Sequence, residues 1–142
     1  MWQQIKRLLL HVPLLSAAAT GERGEKLAAV YLQKKGYKVV ARNWRNPRDR
    51  RDELDLICTD GEILVFVEVK TRDAGALVSG YHAVDTRKKK VVRRTAVAYM
   101  RRLRTRPHTY RFDIVEVDMS ADGTGEVLHF ENIDLFPKHF RP

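Results

Sequence analysis

Three carboxylates and one amine recur at alternate positions in two neighbouring stretches of this chain. Glu53 and Asp55 alternate with leucines, and Glu68 and Lys70 alternate with valines. Because successive side chains of a β-strand point to opposite faces, all four share one face if both stretches are strands. Mutually repelling carboxylates on one face destabilise a sheet unless a partner compensates them. A divalent cation such as Mg²⁺, which prefers oxygen ligands, is one such partner.

The two stretches, 54–58 and 63–70, are apolar or β-branched and predict a β-hairpin. They flank Asp60-Gly61, a pair typical of two-residue hairpin turns. With that pair as the loop, Asp55 lies opposite Phe66, and the leucines and valines share the other face. The alternative to a metal site is a solvated acidic face that the neighbouring lysine neutralises. The hairpin pattern alone leaves both interpretations open.

A helix before the hairpin carries a further carboxylate. It is expected to begin at Thr20, a favourable N-cap, and to end at Gly36, a helix terminator. Glu25 precedes Ala28 and Leu32 by three and seven residues, so it shares the apolar face of this helix. A glutamate in the first turn is also favoured by the helix dipole, which is a purely structural explanation of the same residue.

An arginine-rich loop leads into the hairpin. Its basic residues are Arg42, Arg45, Arg48, Arg50 and Arg51, with Asp49 as the one acid among ten positions. Such a loop could contact phosphates of a nucleic acid, and a merely solvated basic loop is the alternative.

A second helix is expected to begin near Asp85 or Thr86. Ten lysines or arginines and no acid occur from 87 to 106, while apolar residues recur at helical spacing. The exposed arc contains Lys90, Arg93, Arg94, Arg101 and Arg104. Repulsion along this arc favours an anionic ligand, although calmodulin-target and membrane-surface helices have a similar pattern.

A net charge of +9 and a pI near 9.9 distinguish this composition of 142 residues. A strongly basic protein favours polyanionic partners, and nucleic acid is the one that we expect here. The single cysteine, Cys58, excludes an intramolecular disulfide and a thiolate zinc site, and it suits the cytoplasm. No metal-binding spacing links the histidines, and the following are interpreted as surface or loop residues: His11, His108, His129 and His139.

Residues 1–19 begin with a basic and leucine-rich run that resembles a weak signal peptide. His11 and Pro13 interrupt this run, and no stretch approaches the ~20 apolar residues of a membrane helix. We therefore expect a poorly ordered or amphipathic extension, followed by a single domain at 20–142 with no membrane partner.

Further strands are expected at 37–44, 110–118 and 127–130. The elements then follow the order α, β, β, β, α, β, β, which predicts an α/β sandwich with a central mixed β-sheet. No internal repeat, glycine-rich phosphate loop or nucleophile elbow is present in the sequence.

An acid, a short gap and Glu-x-Lys at the end of an apolar strand resemble the core of the PD-(D/E)xK nucleases. More closely, five segments in their order resemble the YraN family, small bacterial proteins considered distant relatives of the archaeal Holliday-junction resolvases. These segments are GERGEKLAAVYLQKKGYKVVARNWR, ELDLI, LVFVEVKTR, AVDTRKK and RFDIVEV, and they extend from about Gly21 to Asp118. Asp52 departs from the family pattern, which usually has glycine there.

The resemblance implies a restriction-endonuclease-like fold, with a central mixed β-sheet flanked by helices. It further implies a metal-dependent endonuclease acting on DNA, with branched or junction DNA as the substrate. Asp55, Glu68 and Glu25 would then hold Mg²⁺ or Mn²⁺, and Lys70 would orient the nucleophile or stabilise the transition state. Lys88 matches a lysine of the family pattern and is expected nearest this site.

The basic loop and helix would bind the nucleic acid through Arg42, Arg45, Arg48, Arg50, Arg51, Lys88, Lys90, Arg93 and Arg94. One site cuts one strand, so symmetric cleavage requires a homodimer. Two other classes remain open, namely a non-catalytic nucleic-acid-binding protein and an adaptor on a nuclease fold.

Overall fold

The computed structural model describes residues 5–11, 20–73, 85–119 and 124–141. Within these ranges the elements are β1 Ile5–His11, α1 Thr20–Lys34, β2 Lys38–Arg45, β3 Glu53–Asp60, β4 Ile63–Asp73, α2 Thr86–Arg102, β5 Tyr110–Met119 and β6 Thr124–Phe130. The strands form one six-stranded sheet in the order β1-β6-β5-β4-β3-β2. Neighbouring strands are antiparallel except β4 and β5, which are parallel and joined through α2. The expected mixed sheet with flanking helices is confirmed.

The two helices lie on opposite faces of the sheet, because alternate residues of its strands point to opposite sides. Val65 and Val67 of β4 belong to the cluster that packs against α1 through Leu32. Phe66 between them belongs to the cluster that packs against α2 through Val92. Both faces of the central strands are therefore buried, which explains their nearly continuous apolar runs.

The N-terminal segment joins the sheet over part of its length. The backbone of residues 5–11 pairs with β6, from Ile5 opposite Phe130 to His11 opposite Thr124. This differs from the extension outside the domain that the sequence predicted, and residues 1–4 and 12–19 lie outside the described ranges. None of the helices in the described part of the chain is long and apolar enough to span a membrane.

The hairpin forms where it was predicted, but its register differs. Asp60 pairs with Ile63, so the loop is Gly61 and Glu62, and Gly61 has a φ of 58°. A glycine with positive φ suits the first position of a two-residue hairpin loop. Phe66 therefore lies opposite Ile57 and not opposite Asp55. The shift is an even number of residues, so Leu56, Val65, Val67 and Val69 still share one face, under α1. Leu54 was predicted on that face too, but it packs in the opposite cluster, under α2.

A buried hydrogen-bonded cluster links β5 to β6 and corrects the interpretation of His129 as a surface residue. His129 and Asp113 are both fully buried, and His129 Nε2 lies 2.9 Å from Asp113 Oδ2. Arg111 Nε donates to Asp113 Oδ1 at 3.0 Å, and the backbone N–H of Asn132 donates to the same oxygen at 2.9 Å. Burial alone would raise the pKa of Asp113, but these hydrogen bonds outweigh it and lower the pKa.

Replacing Asp113 by asparagine is expected to destabilise the protein by about 3 kcal/mol at pH 7, because buried charges lose their partner. The pKa of Asp113 lies below its ordinary value of 3.8. Its stabilisation is therefore complete above pH 3.8 and is lost as the pH falls through the lower, folded-state pKa. Urea unfolding should show a smaller difference in unfolding free energy between the wild type and Asp113→Asn at pH 3 than at pH 7. Asp134→Asn, at an exposed position, is the control. An equal difference at both pH values would contradict this account.

Candidate functional site

The acidic face of the hairpin becomes a site where β3 and β4 separate. Their register runs as far as Leu56 opposite Val67. Beyond that pair, the side chain of Asp55 takes the place of a backbone partner, since its Oδ2 accepts a hydrogen bond from the Val69 N–H at 2.8 Å. Asp55 is thereby held between the two strands, bonded to the residue that follows Glu68 on β4.

Glu68 is the most buried carboxylate of this site, with 3% of its surface exposed. Its Oε1 lies 3.2 Å from the Nζ of Lys70 and 3.2 Å from the Nζ of Lys88. Its Oε2 is buried and makes no hydrogen bond. A buried carboxylate oxygen without a partner is costly, so its presence indicates a ligand that belongs there.

Glu25 reaches the same region from α1 and is held by a residue of β2. With its amide nitrogen facing the carboxylates, Asn43 donates to Glu25 Oε2 at 3.1 Å and to Glu53 Oε1 at 2.9 Å. Glu53 also pairs with Arg45, whose NH2 lies 2.7 Å from Oε2. Asn43 has a φ of 47°, a left-handed conformation that asparagine tolerates better than most residues. Asn43 therefore joins the helix carboxylate to the strand carboxylates.

The crowding of carboxylates changes their ionisation. Burial, and then the charge of Glu68, raises the pKa of Asp55 from 3.8 to about 7. Burial also raises the pKa of Glu25, which the Asn43 hydrogen bond counteracts and the charge of Glu53 increases. Carboxylates that resist ionisation until a cation arrives are characteristic of functional sites, although structural clusters show the same effect.

The donor set suits a cation that is held by few protein ligands. Among the described residues, no group of three or more His, Cys, Asp or Glu side chains is arranged to hold a metal ion. Mg²⁺ usually needs only one or two carboxylates, with waters and substrate phosphates completing its shell. Asp55 and the unpartnered oxygen of Glu68 meet that requirement, so the residues present fit Mg²⁺ or Mn²⁺. The role of Glu25 as a third ligand stays a prediction.

A glycine brings α1 close enough for Glu25 to reach this site. A Cβ atom added to Gly24 would lie 1.8 Å from Thr71 Oγ1 and 2.9 Å from Thr71 Cβ. Only glycine permits this approach of α1 to β4, just beyond Lys70. The sequence analysis identified the surrounding GERGE motif but assigned no role to Gly24 or to Asn43. Both residues act through contacts with residues that are distant in the sequence, so the sequence alone does not reveal their roles.

The expected phosphate-binding arginines lie on both faces of the sheet, and several of them have carboxylate partners. Arg45 pairs with Glu53, Arg51 with Asp49 and Arg94 with Asp52, so these arginines have intramolecular partners. Arg42 pairs in register with Leu56, whose side chain packs under α1, so Arg42 lies on the face away from α2. Among the other predicted residues, Arg48, Arg50 and Lys90 are exposed and Arg93 is half-buried.

The departure from the family pattern at Asp52 has a structural explanation. Asp52 is 3% exposed, and its carboxylate accepts two hydrogen bonds from Arg94, at 2.6 and 2.7 Å. Its backbone carbonyl accepts from the Asn46 N–H at 3.0 Å. Asp52 thereby fastens the arginine-rich loop to α2, and a groove of about 870 Å³ lies between these two elements.

Comparison with known proteins places the site within a matched region. Residues 24–117 match the model of the Uncharacterised protein family UPF0102, a range that includes all the carboxylates and lysines of the site. A UPF0102 protein of Symbiobacterium thermophilum is 45% identical over 103 residues, covering 72% of this chain and 85% of that protein. One of Koribacter versatilis is 47% identical over 98 residues, covering 69% and 67%. One of Porphyromonas gingivalis is 38% identical over 113 residues, covering 79% and 81%.

Proposed function

This chain belongs to the Uncharacterised protein family UPF0102, the family of the YraN resemblance, and we propose that it is a metal-dependent endonuclease hydrolysing phosphodiester bonds in DNA. The observation that carries the proposal is the unpartnered, buried Oε2 of Glu68 beside the Asp55 carboxylate. Burying an unsatisfied carboxylate oxygen next to a second carboxylate is costly, and a bound cation would offset that cost.

Each charged group has a role in this proposal. Asp55 and Glu68 hold the Mg²⁺ or Mn²⁺ ion, with Glu25 as a further ligand on the side of α1. The chemistry that such an ion supplies is a lower pKa of bound water and neutralised charge on the phosphoryl group. Lys70 and Lys88, which both contact one oxygen of Glu68, donate to phosphate oxygens and orient the attacking water.

The substrate that we propose is branched or junction DNA, following the resolvase resemblance. The basic residues of α2 support a polyanionic substrate, since their mutual repulsion falls when phosphates neutralise them. Cutting two strands symmetrically requires two sites, and hence a homodimer. The single cysteine and such a substrate favour the cytoplasm.

Two observations favour a second candidate, a non-catalytic nucleic-acid-binding protein. Two lysines already neutralise Glu68, and no three-carboxylate metal group occurs among the described residues. A site of this kind could bind DNA without cutting it.

Titration of Mn²⁺ by calorimetry, with cleavage of labelled branched, duplex and single-stranded DNA, separates these candidates. The wild type should bind Mn²⁺ and cut, whereas Glu68→Gln should lose metal binding and at least about 100-fold of its cleavage rate. Glu62→Gln is the matched control, because Glu62 is exposed in the hairpin loop, six residues from Glu68 along the chain. DNA binding without metal dependence and without cutting in all three proteins would contradict the endonuclease proposal.

A further inference from the structure

We propose that the groove between residues 46–52 and α2 binds an unpaired nucleic-acid strand next to the cleavage site. This inference rests on the function proposed above and names the form of its substrate. The groove has a volume of about 870 Å³ and carries a strongly basic lining. Its basic residues are Arg48, Lys90, Arg93, Arg94, Arg101 and Arg102.

The charge of this groove is positive even though two acids also line it. Asp49 and Asp52 are those acids, and each is already paired with an arginine, Arg51 at 2.9 Å and Arg94 at 2.6 Å. The basic side chains on α2 consequently exceed the acids, and the net field favours a phosphodiester backbone.

Apolar residues among the basic ones distinguish an unpaired strand from a duplex. Pro47, Val97, Ala98 and Phe140 line the same groove. A duplex presents sugars and phosphates to a protein surface, so an apolar lining gains little from it. An unpaired strand also presents the faces of its bases, which stack on aromatic and apolar side chains whatever their sequence.

Phe140 is held in a position suited to stacking. Its ring stacks on that of Phe136, with centroids 5.5 Å apart and planes inclined by 28°. Its backbone carbonyl accepts a hydrogen bond from the Tyr110 hydroxyl at 2.9 Å. A ring already fixed by its neighbours loses little conformational freedom when a base stacks on it.

The groove lies near the acidic site along its loop wall. There, Asp52 precedes Asp55 by three residues, a distance of about 10 Å in an extended strand. On α2, Lys90 lies two residues after Lys88, which contacts Glu68 from another face of the helix. A strand lying in the groove therefore presents a neighbouring phosphodiester to the carboxylates, as a flap or an unpaired junction arm would.

Anisotropy of labelled single-stranded and duplex DNA of equal length, in metal-free buffer, tests this inference. The wild type should bind the single strand more tightly than the duplex. Phe140→Ala should weaken single-strand binding about tenfold and leave duplex binding unchanged, because one stacked base is lost. Phe140→Trp keeps an aromatic ring at this position and should therefore bind the single strand more tightly than the duplex, as the wild type does.

A matched pair of charge variants tests the basic lining. Arg101→Gln should weaken single-strand binding several-fold. Lys34→Gln removes the same charge from an exposed residue of α1, outside the groove, and should change binding less than about twofold. Equal binding by these two variants would overturn the inference, as would a loss in Phe140→Ala that is equal for both DNA forms and that tryptophan does not restore.

Cleavage in Mn²⁺ by the same variants separates the two proposals. If single-strand preference is absent in the wild type while cleavage persists, only the groove assignment is overturned. If the groove variants behave as expected but no variant and no wild-type protein cuts, only the endonuclease proposal is overturned.

Discussion

Asp55→Asn is expected to abolish cleavage and also to stabilise the metal-free protein at neutral pH. Asparagine keeps an oxygen that can accept the Val69 N–H, so the local hydrogen bond at 2.8 Å survives the change. It removes the negative charge that the proposed cation requires. We expect cleavage to fall by at least about 1,000-fold, because one of the proposed carboxylate ligands is lost.

The gain in stability follows from the raised pKa of Asp55. Its folded-state pKa is about 7, whereas its ordinary value is 3.8. The folded protein therefore holds the proton more tightly than the unfolded chain, and ionisation reduces stability as the pH rises between these values. Asp55→Asn avoids this loss. Allowing for solvent screening, we expect it to be about 1 to 2 kcal/mol more stable than the wild type above pH 7.

Urea unfolding in EDTA at several pH values measures this effect. The two proteins should be nearly equal below pH 3.8, diverge as the pH rises toward about 7, and keep a constant difference above it. Asp134→Asn, at an exposed position, should show no such trend. Lower stability of Asp55→Asn at pH 8 would mean that the carboxylate stabilises the fold and would count against a metal site.

Gly24→Ala is expected to destabilise the protein by about 2 kcal/mol, opposite to the usual effect of alanine in a helix. The added Cβ would lie 1.8 Å from Thr71 Oγ1, so α1 must move away from β4. Glu25 moves with the helix, and cleavage should fall about tenfold even under conditions where the variant is folded.

Gly21→Ala is the matched control, because nothing lies within 4 Å of a Cβ at Gly21. It should be neutral or stabilising by up to about 1 kcal/mol. Thr71→Ala combined with Gly24→Ala should recover part of the loss, since it removes the closest atom but leaves Cβ of residue 71 at 2.9 Å. Equal effects of the two glycine substitutions on unfolding and cleavage would show that the close approach is unimportant.

The prediction of local elements from the sequence succeeded for particular physical reasons. α1 ends at Lys34, before Gly36 with its φ of 96°. α2 begins at Thr86, after Asp85, whose side chain accepts a hydrogen bond from the Lys88 N–H. Such signals act within a few residues, and a single chain therefore displays them.

Other features were predicted wrongly or had no visible role in the sequence, because they depend on interactions between segments that are distant in the chain. The hairpin loop was displaced by one residue, since both Asp60-Gly61 and Gly61-Glu62 satisfy the local turn preference and strand pairing selects between them. His129 was interpreted as a surface residue, but Asp113 and Arg111 lie on β5 and compensate its burial. Asp52 has no visible role in the sequence, because its partner Arg94 is on α2.

By itself, then, the sequence determined the helices, the hairpin, the proximity of Asp55 to Glu68, and the family. Alternation with period two and helical spacing are properties of the local backbone, and motif order needs no coordinates. Only the tertiary structure decided that Lys88 contacts Glu68, that Asn43 joins Glu25 to Glu53 and that one oxygen of Glu68 is buried without a partner. These contacts join residues from different elements, and burial becomes defined only when the sheet and both helices have packed together.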